Sequence, residues 1–153
     1  MEKTLVILKP SAIQRALVGE VIKRFEQKGL QLAGIKMIQL DDTILDEHYA
    51  HLVNRPFFKR IKDSMMITPV IVTCWMGKDA VRVVRSMTGS TNSRDAIPGT
   101  LRGDFAMSMQ ENIVHTSDSV ENAKEELARF FSDDEIFDYS NVMLPFLYAN
   151  DEI

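Results

Sequence analysis

TLVILKP, residues 4–10, holds four consecutive apolar residues, Leu5 to Leu8, closed by Pro10. A run this short and this rich in branched side chains reads as a buried strand, central in a sheet. LVGEVIKRFEQKG follows it at residues 17–29. Val18, Val21, Ile22 and Phe25 recur there at helical spacing, and Gly29 stands where a left-handed cap ends a helix. LQLAGIKMIQL, residues 30–40, is a second strand, and its broken alternation at Ala33-Gly34 predicts a bulge. Asp42–Val53 and Phe57–Ser64 read as two short helices parted by Asn54-Arg55-Pro56. PVIVTCW, residues 69–75, repeats the buried-strand pattern, and KDAVRVVRSMTG, residues 78–89, is a helix with Ala80, Val83, Val84 and Met87 on its apolar face. FAMSM, residues 105–109, alternates and reads as a strand continued by Asn112–His115, and Ser119–Phe131 is the last helix. Strands alternating with helices predict an α/β or α+β layer with helices packed on a sheet.

Composition narrows the class. The chain has 153 residues, 45% hydrophobic and 26% charged, which suits one soluble domain spanning residues 1–153. A formal net charge of -4 provides no broad basic field for nucleic acid or anionic lipid, so an anion site must be local. Neither partner is expected. One cysteine, Cys74, excludes an internal disulfide and fits a reducing compartment. The apolar run at the N-terminus is too short for a signal peptide or a membrane span, so the expected location is the cytoplasm.

Thr88–Asp104 (TGSTNSRDAIPGTLRGD) carries no periodic pattern. Structureless loops beyond roughly 12–15 residues are uncommon in compact domains, and we read this one as a binding loop. Its Arg102, with Arg85 just before it and Lys9 at the end of the first strand, would form an anion pocket if the three converged. Otherwise the arginines are solvated surface residues.

His115 sits where a short strand hands over to a helix start. Neutral imidazole is a nucleophile near pH 7. Asp118 and Glu121 form a capping-box-like pair, and Ser117 is near enough to reach the ring. The plainer reading is a strand-end histidine bonded to a backbone carbonyl. Phe57 and Phe58 are either both partly buried or divided into one core ring and one exposed stacking platform. His48 and His51 lie three residues apart, a spacing compatible with metal, but without a wider His/Cys cluster they read as solvated or core-edge residues. No P-loop, protein-kinase or nucleophile-elbow motif is present.

NIVHTSDSVENAKEE, with TLVILKPSA, HYAHL, RPFF, TNSRDAIPGTLRGD and VGEVIKRFEQKG, closely resembles nucleoside diphosphate kinases from about Lys3 to Tyr139. The resemblance implies a ferredoxin-like βαββαβ sandwich around a four-stranded antiparallel sheet. It implies transfer of the γ-phosphate of a nucleoside triphosphate to a nucleoside diphosphate (ATP, ADP, GTP, GDP and others). The route is ping-pong through phosphohistidine on His115, with broad base and sugar specificity. By position, Lys9 and Asn112 match residues that hold the sugar hydroxyl and phosphates. Phe57 matches the base-stacking ring, and Ile61 an apolar contact beside it. Arg85, Thr91 and Arg102 match phosphate ligands, and Tyr49 matches a tyrosine beside the nucleophile. Ser117 and Glu126 match residues that orient the ring. Mg²⁺ is implied on the nucleotide phosphates, without a metal cage in the protein. A homo-oligomer is implied as well, a hexamer in preference to a tetramer.

Thr116 stands where the family commonly has glycine, which would strain a positive φ. Ser90 and Ser93 replace Glu and Pro of many relatives, which predicts a looser loop. The alternative reading is a histidine phosphocarrier that takes phosphate from a protein partner and needs no nucleotide pocket.

Overall fold

The computed structural model describes residues 1–153. The run read first as a central strand is one. β1 (Glu2–Leu8) lies between β3 (Val70–Gly77) and β4 (Val114–Thr116), and β2 (Gln31–Ile38) pairs β3 at the far edge. All neighbours are antiparallel, in the order β2-β3-β1-β4. This is the ferredoxin-like βαββαβ arrangement that the resemblance implied.

Helices cover both faces, which is why β1 and β3 are apolar without alternation. Val6, Leu8, Ile71 and Trp75 face α2 (Val18–Lys28) and α5 (Ala80–Thr88). Leu5, Ile7, Val70, Val72 and Cys74 face the opposite layer. That layer holds α3 (Asp42–His48), α4 (Phe58–Met65) and α7 (Val120–Phe130).

Local signals behave as their chemistry predicts. Gly29 caps α2 at φ 100°, and the bulge falls between Leu32 and Gly34. The N-cap of α7 is Ser119, whose hydroxyl accepts from the Asn122 amide, rather than Asp118.

Four differences from the sequence reading bear on the site. A short helix, α1 (Pro10–Gln14), follows β1 directly, with proline at its first position. The helix expected over Asp42–Val53 stops at His48 and continues as a 3-10 turn, Ala50–Leu52. FAMSM is not a strand. Phe105 ends α6 (Leu101–Phe105), and Met107 and Met109 alternate only because both are exposed, without a neighbouring strand. The long loop is ordered by a 3-10 turn, Ser93–Asp95, and by α6, whose N-cap Thr100 accepts from the Gly103 amide at 3.0 Å. Ser93 ties this loop down rather than loosening it, because its buried hydroxyl donates to the Ser108 carbonyl at 2.7 Å.

Candidate active site

Strand register aims the nucleophile candidate. His115 pairs with Ile7 across β1 and β4, so its ring points into the α3/α4/α7 layer while Val114 and Thr116 are buried. A one-residue slip would turn it to the other face. Thr116 lies in extended backbone within β4, so its branched side chain causes no strain there. Positive φ occurs instead at Ile113, at 64°, a fully buried β-branched residue. Such a conformation costs about 1–3 kcal/mol and persists only where surrounding contacts enforce it. Here the Lys9 amide donates to the Ile113 carbonyl at 2.9 Å, and Asn112 is held on three sides.

Glu126, on the inward face of α7, meets the ring of His115. One carboxylate oxygen, Oε2, lies 3.0 Å from His115 Nε2 and accepts from Ser117 Oγ at 2.7 Å. Burial works against the charge on Glu126, but the bonds from His115 and Ser117 outweigh it and hold the carboxyl below its ordinary range. An ionised carboxylate at Nε2 keeps the ring proton there and leaves the lone pair on Nδ1. Ser117 is completely buried and reaches the site only through Glu126.

The cations converge. Lys9, at the C-terminal end of β1, donates from Nζ to Asn112 Oδ1 at 2.7 Å. Burial first, then the nearby Arg102, lowers its pKa to about 8. Arg102 is 6% exposed, and its guanidinium donates to the carbonyls of Asn112, Gly89 and Val114. Burial and Arg85 bring its pKa down to about 10. Two guanidinium groups and an ammonium that disfavour one another are relieved by an anion. Arg85, on the last turn of α5, and Thr91 are exposed at the same cleft.

The aromatic pair divides. Phe58 is core at 7% exposure, while Phe57 is 38% exposed and forms the cleft wall with Ile61 one turn on. Tyr49 lies 6.5 Å from His115 between ring centroids, and burial together with Glu126 keeps its hydroxyl protonated. Lys9, Tyr49, Phe57, Arg85, Arg102 and Glu126 line one cleft of about 1040 Å³ with His115, and Ser117 stands behind it.

Sequence reasoning missed several cleft residues. His48, read as solvated or core-edge, is buried with its ring centroid 4.5 Å from that of His115. His51 is exposed at the rim. Arg60, Arg94 and Arg129 also line the cleft. Arg94 sat unremarked in the long loop, and Arg60 and Arg129 looked like ordinary helix-surface charges. A donor atom from each of His48, His115 and Glu126 falls within 4.8 Å of the others. His115 and Glu126 already bond each other, Glu126 Oε2 also accepts from Ser117, and Arg129 donates to His48, so each of the three is committed to a hydrogen bond.

The family model described as nucleoside diphosphate kinase matches residues 2–136. The chain belongs to the nucleoside diphosphate kinase family. It is 65% identical to the nucleoside diphosphate kinase of Parabacteroides distasonis over 152 residues, covering 99% of each chain. It is 45% identical to nucleoside diphosphate kinase A of Rattus norvegicus, covering 96% of this chain and 97% of the other. A halophilic nucleoside diphosphate kinase from Halobacterium salinarum, solved in complex with CDP, superposes with a TM-score of 0.94 at 37% identity. That match covers 97% of this chain and 99% of the other. Among nucleoside diphosphate kinases, then, this chain has related sequences along nearly its whole length.

Proposed function

We propose that this protein transfers the γ-phosphate of a nucleoside triphosphate to a nucleoside diphosphate through a phosphohistidine on His115. The observation that carries the reading is the bond between His115 Nε2 and Glu126 Oε2, beside a cleft that gathers Lys9, Arg85 and Arg102. The base lies against Phe57 and Ile61, where stacking is worth about 1–3 kcal/mol and reads no hydrogen-bond pattern. Broad base and sugar specificity follows. Lys9, Arg85, Thr91 and Arg102 take the phosphates, and Asn112 and Lys9 the sugar hydroxyl. Mg²⁺ enters as part of the nucleotide substrate, where it neutralises phosphate charge.

His115 Nδ1 attacks the γ-phosphorus in line. The N–P bond forms as the bond from phosphorus to the bridging oxygen breaks, and the diphosphate leaves with that oxygen. Nε2 keeps its proton, and Glu126 balances the charge that develops on the ring. A second diphosphate attacks the phosphoryl group and restores the free imidazole. The protein contributes mainly positioning and charge neutralisation. The phosphocarrier reading is not favoured, because it has no use for the Phe57–Ile61 wall.

Residues 1–153 act as one domain in this reading. The protein is a cytoplasmic homo-oligomer, a hexamer rather than a tetramer. No helix is long and apolar enough to cross a membrane. Edge strand β2 supports assembly, because Ile35 and Met37 are 49% and 58% exposed on a strand that pairs with β3 alone.

The test is intact mass after incubation with ATP and Mg²⁺. An acid-labile phosphoryl adduct forms, passes to GDP as GTP, and is lost in His115→Gln. An adduct that persists in His115→Gln, or that GDP cannot discharge, overturns the assignment.

A further inference from the structure

His48 has no role in the transfer just described, yet its ring is wedged among those of His115, Tyr49 and Phe130. Arg129 Nη1 lies 3.0 Å from His48 Nδ1. A guanidinium can only donate, so Nδ1 is the acceptor, and a neutral ring must carry its proton on Nε2. That Nε2 is buried without a partner. A buried orphan donor is unfavourable, and it persists where the surroundings impose it. Arg129 can impose it, since its Nε donates to Glu47 at 3.1 Å and its side chain is 15% exposed.

We propose that Arg129 is a positioning residue for the phosphoryl transfer, acting through His48. It holds His48 in a single tautomer beside the nucleophile and helps keep it neutral, so that Glu126 serves His115 alone. The proposal rests on the function assigned above.

The charges around His48 explain why its state matters. On its own helix and the following turn it faces Glu47, Tyr49 and His51. From β4 it faces His115, and from α7 Glu126 and Arg129. Burial first, then His115, Arg129 and His51, oppose a charge on His48; Glu126 alone among the named causes favours one. A protonated His48 would place a positive charge beside Glu126 and compete with His115 for its carboxylate. It would also set a second positive charge beside the ring that becomes positive when phosphorylated. Arg129 adds its charge to burial and His115 in opposing both, and its bond at Nδ1 fixes which nitrogen carries the single proton. The sign follows: Arg129 is one of the causes that depress the His48 pKa, after burial and His115, so its loss moves the value up from about 3 and any acid limb of the transfer moves up with it.

The test uses the whole protein in four forms: wild type, Arg129→Lys, Arg129→Met, and Arg129→Met combined with His48→Asn. Long-range proton–nitrogen spectra of the histidine rings are read alongside kcat and KM from about pH 5.5 to 8.5. In the wild type, His48 shows a bare Nδ1 and a protonated Nε2 and does not titrate. In Arg129→Met the proton spreads onto Nδ1, so the single-tautomer signature is lost, and the ratio of kcat at the alkaline end to kcat at the acid end exceeds the wild-type ratio by about twofold or more. Nucleotide KM stays within about twofold. Arg129→Lys, which keeps a charged donor, restores the flatter profile, and the added His48→Asn change abolishes the extra acid limb. A proton on His48 Nδ1 in the wild type overturns the proposal. So does a parallel pH profile in Arg129→Met, an acid limb that survives in the double variant, or a change confined to KM. If Arg129→Met does not fold, the wild-type spectrum and Arg129→Lys decide. A wild type that forms no phosphoenzyme refutes the transfer itself, while the His48 tautomer remains readable in the same sample.

Discussion

Lys9 and Glu126 have pKa values shifted down from those of exposed counterparts. Lys9 titrates at about 8, because burial and Arg102 both disfavour its charge. The ammonium is therefore present below that pH and lost as pH rises through it, and a bound phosphate pushes the value back up. The affinity of the free protein for a nucleoside diphosphate is expected to fall by about tenfold per pH unit at most above pH 8. In Lys9→Arg, whose charge does not titrate in that range, the fall disappears. Isothermal titration at several pH values measures both; a wild-type affinity that is level through pH 9 or so contradicts the assignment of Lys9 to the phosphates. Glu126 is the second case. It is ionised because His115 and Ser117 both address one of its oxygens. Glu126→Gln keeps the shape but removes the charge that orients the imidazole. Phosphohistidine formation should slow by roughly a hundredfold, the scale of a misplaced reacting group. Rapid-quench measurement with labelled ATP reads this, and an unchanged rate removes Glu126 from the mechanism.

Secondary elements deliver these side chains to one place. Register between β1 and β4 turns His115 toward α7, and the inward face of α7 turns Glu126 toward His115. α6 is the element most exposed to a small perturbation. A Cβ on Gly103 would stand 2.1 Å from the Ile97 carbonyl oxygen and 2.8 Å from Thr100 Oγ1. Both are backbone or capping atoms with little room to move. Gly103→Ala should therefore disrupt the first turn of α6 and cost about 2 kcal/mol or more, visible as a lowered urea midpoint. Because Arg102 lies in that turn and is held by three carbonyls, of Gly89, Asn112 and Val114, nucleotide KM should rise as well. Lowered stability with an unchanged KM would detach Arg102 from the substrate.

At the scale of the whole molecule, the sheet ends on one side in the three-residue β4 and on the other in β2, whose Leu32 and Ala33 carbonyls accept from Tyr139 and Phe137. Ile97 and Met107 add exposed apolar surface near the long loop, at 73% and 74%. Single exposed apolar residues are ordinary, but an edge strand beside a patch invites pairing. Light scattering should return about six times the 17.4 kDa chain mass. Four times that mass would select the tetramer, and a value near 17.4 kDa would refute assembly altogether.

Much of the molecule was legible in the residues themselves. TLVILKP and PVIVTCW are apolar without alternation because both faces of their strands are covered, and that pattern is a property of the chain alone. Gly29 and the bulge at Gly34 announced themselves by local conformational chemistry. The motif around His115, with Lys9, Arg85, Arg102 and Phe57, was identifiable through family resemblance before any distance was known. FAMSM misled because alternation carries no information about whether a partner strand exists. Tertiary structure alone decided the rest: which face His115 turns to, that Glu126 claims its Nε2, and that His48 and Arg129 stand behind it. The contact between His48 and Arg129 joins residues 81 positions apart in the chain. Periodicity and local propensity act over a few residues, whereas a hydrogen bond between distant side chains exists only once packing has brought their helices to one face of the sheet.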